Sequence, residues 1–371
     1  MNWYENNNMH TNQKIINVTK TYLPDKEKYK QYIDEIYANN WVTNNGPLVQ
    51  RLEKRLADYL GVKNIVLVAN GTVALEIAYR TLGLKDFVIT TPFSFVATTS
   101  SLVTNGLLPI FADINPHTFN IDPSKIEDSI TKNTSAILGV HVFGNPCEVE
   151  KIEQIAKQNN LKVVYDAAHA FDVQYKEQSV LNYGNISTLS FHATKLFHTI
   201  EGGALIINDD DLVQKARYLI NFGIENSESI PELGTNAKMN EFEAAMGLCV
   251  LDDMEQIQQK RKTILETYQT ELRGLIQFQE QNDNAAQNYS YFPIVFKSEE
   301  QLKKVQKALN EQQIFPRRYF YPSLDTLSYI EPKQYCPSSR NIASRILCLP
   351  MYADLEENDL KLIIKIMKEN I

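Results

Sequence analysis

Cysteine is scarce in this chain: four residues in 371, and Cys147, Cys249, Cys336 and Cys348 stand far apart with no C-x-x-C pair. That spacing offers neither a zinc site nor a disulfide framework, so no metal site and reduced thiols in a cytoplasmic protein are expected. Long apolar runs are missing too; nothing approaches the roughly 20 residues that a membrane-spanning helix needs. The opening stretch MNWYENNNMHTNQ lacks the basic and apolar segments of a signal peptide and reads as a loose polar arm. Positive charge is sparse: 37 Lys and Arg against 45 Asp and Glu give a net charge of −8, which argues against a phosphate-tracking nucleic-acid surface. The local pairs Lys303-Lys304 and Arg317-Arg318 read as solvated faces or a small anion site. Also absent are internal repeats, the G-x-G-x-x-G of a dinucleotide fold and the GK[ST] of a P-loop.

What is present is an ordinary globular balance, 43% hydrophobic and 22% charged. A single core stops growing near roughly 250–300 residues, so a chain of this length is expected to form one large and one smaller domain. Short, almost wholly apolar runs alternate with helical periodicity: NIVLVA, DFVITT, LPIFADI, SAILGVHVFG, LKVVYDAAHA, ISTLSFHAT and GGALIIN read as strands. Strands of that kind, separated by helices, predict an α/β fold with a mostly parallel sheet covered on both faces. From about residue 209 the pattern turns helical, with 239–275 reading as one long helical tract. A strand at 289–296, a helix at 299–312 and a strand at 346–352 then suggest a small α/β domain. The expected division is a flexible arm over 1–20, a large domain over 21–250 and a small domain over 251–371.

Ligands of open α/β sheets bind beyond the C-terminal strand ends, at the crevice there. After NIVLVA comes Asn70-Gly71-Thr72 at a helix start, where backbone N–H groups and the helix dipole suit an anion; a plain strand-to-helix turn is the bland alternative. After DFVITT come Phe93 and Phe95, either core aromatics or a ring for stacking. Asp166 ends an apolar strand and is costly to bury without a partner, unless it is simply a surface carboxylate. Lys195 lies among Phe191, Leu196, Phe197 and Ile200, flanked by His192 and His198. A buried lysine becomes a nucleophilic amine, the Schiff-base arrangement; a snorkelling lysine with a wet head is the alternative. Taken together, an amine, a carboxylate, an aromatic and an anion cradle in this order fit one cofactor, pyridoxal 5'-phosphate.

These motifs carry a resemblance. NNGPLVQRLEKRLADYLG, VANGTVALEIAYRTLGL, TPFSFVAT, YDAAHAF, SFHATK, EGGALIIN and GTNAKMNEFEAAMGL resemble those of the DegT/StrS-type sugar aminotransferases, from about Tyr22 to Tyr352. The resemblance implies a fold-type I pyridoxal phosphate enzyme with a seven-stranded sheet. It implies that Lys195 forms the aldimine, that Asp166 pairs with the ring nitrogen and that His169 lies beside the phenolic oxygen. Phe95 would stack on the ring, and Gly71, Thr72 and Ser190 would bind the phosphate. Asn236 would reach the phosphate of a neighbouring subunit, which implies a homodimer with shared sites. His198, Glu201, Arg317 and Arg318 are the substrate-binding candidates, with local hydrogen bonding or a surface role as the alternatives. L-glutamate and a nucleotide-linked keto sugar are the implied substrates. Within the family, VTNNGPLV, VANGT and SFHATKLFHT-EGG are similar to the enzymes that aminate C4 of dTDP-4-keto-6-deoxyglucose. Amination at C3, a UDP-sugar, or a non-catalytic cofactor-binding regulator are the other readings, and a nicotinamide oxidoreductase lacks its glycine fingerprint.

Overall fold

The computed structural model describes residues 14–371. Seven of the apolar runs become one sheet: Ile65–Val68 (β1), Phe87–Thr90 (β2), Leu108–Phe111 (β3), Thr134–Val140 (β4), Lys162–Asp166 (β5), Ile186–Ser190 (β6) and Gly203–Ile207 (β7). Their spatial order is β1-β7-β6-β5-β4-β2-β3; β7 runs antiparallel to both neighbours and the remaining pairings are parallel. Successive strand residues point to opposite faces. Ile65, Leu67, Ala204 and Ile206 enter one buried cluster, while Val66, Val68, Leu205 and Ile207 enter another. Both faces are covered by helices, so the strands are apolar throughout instead of alternating.

The helices before and between these strands are Lys26–Asn39 (α1), Pro47–Leu60 (α2), Gly71–Leu82 (α3), Val96–Thr104 (α4), Pro123–Ser129 (α5) and Val149–Asn159 (α6). Asp210–Ile220 (α7), Glu241–Asp252 (α8) and Met254–Leu272 (α9) follow β7. The tract read from the sequence as one helix over 239–275 is two. Asp253 breaks it, and its Oδ2 accepts the Tyr22 hydroxyl at 3.0 Å. The halves differ in environment: α8 is buried nearly all round, whereas α9 buries one stripe. Met254 and Ile257 of α9 pack on the large core, and Ile264, Leu265, Tyr268 and Leu272 pack on a second one. The chain therefore changes core within α9, a little beyond residue 250.

The second core surrounds a three-stranded antiparallel sheet of Gln277–Phe278 (β8), Phe292–Val295 (β9) and Ile346–Leu349 (β10), in the order β8-β9-β10. Glu299–Glu311 (α10) and Glu357–Asn370 (α12) cover it, and Pro337–Arg345 (α11) precedes β10. Residues 1–13 of the expected arm lie outside the described residues. Residues 14–20 correct that expectation, because they are tied down. Ile16–Asn17 pair in parallel with Ile314–Phe315, Ile16 and Val18 are buried on one side, and Lys14 bridges Glu356 and Asp359 at 2.6 Å each. Among the described residues no helix is long and apolar enough to cross a membrane.

Candidate active site

The C-terminal ends of β1, β2, β5 and β6 converge on a cavity of about 280 Å³. At the end of β1, the Asn70 side chain caps α3 by accepting the Val73 N–H at 2.8 Å. The N–H groups of Gly71 and Thr72, first in the helix, have no partner within it and aim positive dipoles outward. Gly71 is required here by space: a Cβ would stand 2.7 Å from Cβ of Ser190, at the end of β6. Gly71, Thr72 and Ser190 thus form one wall of the cavity, with the chemistry of an anion cradle.

Asp166 ends β5 and is only 7% exposed. Its Oδ2 accepts the Thr98 hydroxyl at 2.7 Å and its Oδ1 accepts the Ala168 N–H at 3.1 Å. Burial raises its pKa, and those two hydrogen bonds and the Lys195 charge oppose the rise. Lys195 lies in the segment that joins β6 to β7. The Phe191 N–H donates to Gly202 at 2.8 Å, and the Lys195 N–H donates to His192 at 2.8 Å, which fixes the turn. Phe191, Leu196 and Phe197 pack into the core around it. Loss of hydration brings the Lys195 amine down to about 8; Arg317 pushes the same way and Asp166 against it.

His169 is buried against Tyr291, with ring centroids 4.5 Å apart, and against Phe143 and Phe320. Its Nδ1 accepts the Phe143 N–H at 3.3 Å, which puts the ring proton on Nε2. Burial holds its pKa well below the ordinary range, so the ring is neutral. Phe95 occupies the N-cap position of α4, is 49% exposed and lines the cavity; Phe93 is fully buried against Phe119 and Phe320. Of the pair considered from the sequence, only Phe95 offers a face to a ligand.

The substrate candidates separate. Glu201 lines the cavity rim, 3.6 Å from His192 Nε2. Arg317 lines the cavity with its guanidinium 4.4 Å from the Tyr319 ring centroid. Arg318 does not reach it: its Nη2 donates to Glu299 at 2.9 Å and to the Ser344 carbonyl at 2.8 Å. Neighbouring residues of an extended segment point to opposite sides, which corrects the joint reading of the two arginines. His198 is corrected as well. It is 1% exposed, with Nε2 2.7 Å from the Tyr22 carbonyl oxygen and Nδ1 accepting the Ile200 N–H at 3.2 Å, so it pins the lysine segment and both nitrogens are occupied. His141 is likewise internal, stacked on Tyr165 with Nδ1 accepting the Cys147 N–H at 3.1 Å. Asn236 is exposed, accepts from Lys238 Nζ at 2.8 Å and lies outside this chain's own cavity.

The sequence reading missed several cavity residues: Ser94, His192, Tyr291, Tyr319 and Phe320 at the wall, and Thr98 behind Asp166. Thr98 left one signal, since it follows Phe95 by three positions and so shares a helix face with it. Tyr291 and Tyr319 left none, because they come from the far end of the chain.

A sequence model of the DegT/DnrJ/EryC1/StrS aminotransferase family matches residues 24–368. A dTDP-4-amino-4,6-dideoxy-D-glucose transaminase of Shigella dysenteriae is 45% identical over 364 residues, spanning 96% of this chain and 99% of the relative. A protein of the same name from Escherichia coli is 40% identical over 367 residues, spanning 96% and 98%. Among solved structures, DesI in the presence of its TDP-sugar product superposes with a TM-score of 0.92 at 30% identity, covering 96% of this chain and 93% of that one.

Proposed function

The chain belongs to the DegT/DnrJ/EryC1/StrS aminotransferase family, and from that premise we propose that it transfers the amino group of L-glutamate to C4 of dTDP-4-keto-6-deoxy-D-glucose. The product is dTDP-4-amino-4,6-dideoxy-D-glucose, made in the cytoplasm for surface polysaccharide. The named relatives support this choice of sugar. The carrying observation is local: a dehydrated lysine amine, a buried carboxylate and a helix N-terminus face one cavity at the strand ends.

Pyridoxal 5'-phosphate fits the residues present. The cradle at Gly71, Thr72 and Ser190 matches its phosphate, Asp166 is a buried acceptor for a ring N–H, and His169 presents a donor at Nε2. Phe95 supplies a face for the ring. When bound, the cofactor supplies a carbonyl carbon for amines and a conjugated ring that accepts the electron pair left by a departing proton.

The chain's own residues do the rest. Lys195 Nζ would hold the cofactor and, once the donor's amine has displaced it, would take a proton from the donor's α-carbon and return one on the reverse path. An amine brought down to about 8 exchanges its proton near working pH more readily than an ordinary lysine, which suits both tasks. Asp166 would keep the ring nitrogen protonated, and neutral His169 would donate to the ring oxygen. Arg317, which pairs with no carboxylate among the described residues, holds an anionic group of donor or sugar nucleotide. Glu201 at the rim accepts from sugar hydroxyls. Asn236 serves the phosphate of a neighbouring copy, which makes the protein a homodimer with shared sites. The exposed apolar residues Phe222, Ile230 and Leu233 beside it support that assembly.

The test is an absorption spectrum of the protein with pyridoxal phosphate, before and after glutamate, beside Lys195→Ala. We expect a visible band in the wild type that glutamate bleaches and that the variant does not show. Glutamate-treated enzyme should then aminate dTDP-4-keto-6-deoxy-D-glucose, identified by mass spectrometry. A protein without the band would overturn the cofactor assignment; a bleached protein that leaves this sugar untouched would overturn the substrate.

A further inference from the structure

Thr98 is fully buried in the first turn of α4. A helical threonine commonly returns its hydroxyl to the carbonyl four residues back, as Thr104 does to Ser100 at 3.0 Å. Thr98 instead donates to Asp166 Oδ2 at 2.7 Å, and its oxygen lies 2.6 Å from Ser94 Oγ. An ionised carboxylate only accepts, and a threonine hydroxyl carries one hydrogen. That hydrogen goes to Asp166, so Ser94 is the donor to Thr98. Ser94 is 3% exposed and lines the cavity. The result is a directional chain from the cavity wall, through Thr98, to one oxygen of the carboxylate. The other oxygen is held by the Ala168 N–H at 3.1 Å.

We propose that Thr98, itself oriented by Ser94, is a positioning residue that keeps Asp166 ionised and fixes how its remaining lone pairs face the cofactor's ring nitrogen. The inference rests on the pyridoxal phosphate reading. It has a mechanical side. Phe95 and Thr98 share one helical turn, so the same backbone sets the ring's stacking face and the partner of its nitrogen. Without the hydroxyl, a dehydrated carboxylate loses a charge-assisted bond and competes for the proton on the ring nitrogen.

The experiment loads full-length wild type, Thr98→Val, Thr98→Ser and Ser94→Ala with pyridoxal phosphate labelled with nitrogen-15 in the ring. It reads the ring nitrogen's chemical shift together with glutamate kinetics. Wild type and Thr98→Ser should report a protonated nitrogen. Thr98→Val should move toward the unprotonated shift and lose roughly 10- to 100-fold in kcat with little change in the glutamate KM. Ser94→Ala should fall between them. A wild-type shift and kcat in Thr98→Val would overturn the proposal, as would Thr98→Ser being as impaired as Thr98→Val, since packing would then be the cause. If Thr98→Val does not fold, Ser94→Ala decides, and an unmoved shift there overturns the proposal. A wild type that never takes up the labelled cofactor defeats the cofactor reading itself, and this inference with it.

Discussion

Lys195 weakens the cofactor-free fold that carries it. Its amine titrates at about 8 in the folded chain against an ordinary 10.5. Below about pH 8 both states hold the proton, and the folded state bears the whole dehydration penalty. Between the two values only the unfolded chain is protonated, so stability rises with pH across that window. We therefore expect Lys195→Met to stabilise cofactor-free protein by roughly 1–3 kcal/mol at pH 7, since part of the penalty is screened by solvent. Chemical denaturation checks this, and an unchanged or lower midpoint rejects it. The rate of cofactor uptake should rise with pH and level off just above about 8; a rate still climbing at pH 10 would mean an ordinary amine. The arginines give a paired expectation. Arg317→Gln should raise the KM of glutamate or of the sugar nucleotide by roughly 10- to 100-fold, the worth of a charge-assisted hydrogen bond. Arg318→Gln should leave both near wild type and change only stability. Lys195, Asp166, Gly71 and Phe95 were legible in the sequence because each stands where an apolar run stops, a position defined by local pattern. Arg318 and His198 misled because the direction of a side chain depends on what its segment pairs with. Arg317 faces the cavity only because its backbone pairs with Cys348, which lies 31 residues on (348 − 317).

Among the elements, α3 is held tightly to the sheet, because its first residue touches the end of β6. Gly71→Ala places a methyl 2.7 Å from the Ser190 side chain, so helix and strand must separate. The backbone angle there is one that alanine tolerates, and the strain is purely one of contact. Cofactor affinity should fall about tenfold or more as the cradle widens. Titration followed by absorbance measures it, and unchanged affinity would show that the phosphate lies elsewhere. The strand run of the large sheet was legible throughout, since double-sided burial makes strands uniformly apolar. The break at Asp253 was not. The tract from 239 to 275 is continuous in helical pattern, and the division follows from a change of core that periodicity does not register.

At the scale of the whole molecule, the proposed sharing of sites makes an unusual promise. Lys195→Ala and Asn236→Ala enzymes, each inactive alone, should regain activity when unfolded and refolded together. A mixed dimer then has one site with both defects and one with neither, so a random equal mixture recovers about a quarter of wild-type activity by the counting that two-fold symmetry imposes. No recovery, with Asn236→Ala alone inactive, would place Asn236 in its own chain's site and overturn the shared arrangement. The division into domains at residue 250 is likewise a reading to test, by limited proteolysis around α9. Finally, β7 returns antiparallel beside β6, with Ser190 and Gly203 as register partners. The segment from Phe191 to Gly202 therefore leaves and re-enters the sheet at the same place. In evolutionary terms it is a cassette. A change at Lys195 within these twelve residues, counted from 191 to 202, alters the reactive group while the register of the two flanking strands is kept. A scaffold that carries its reactive amine on one insert closed by paired strands can change that group before it changes its fold.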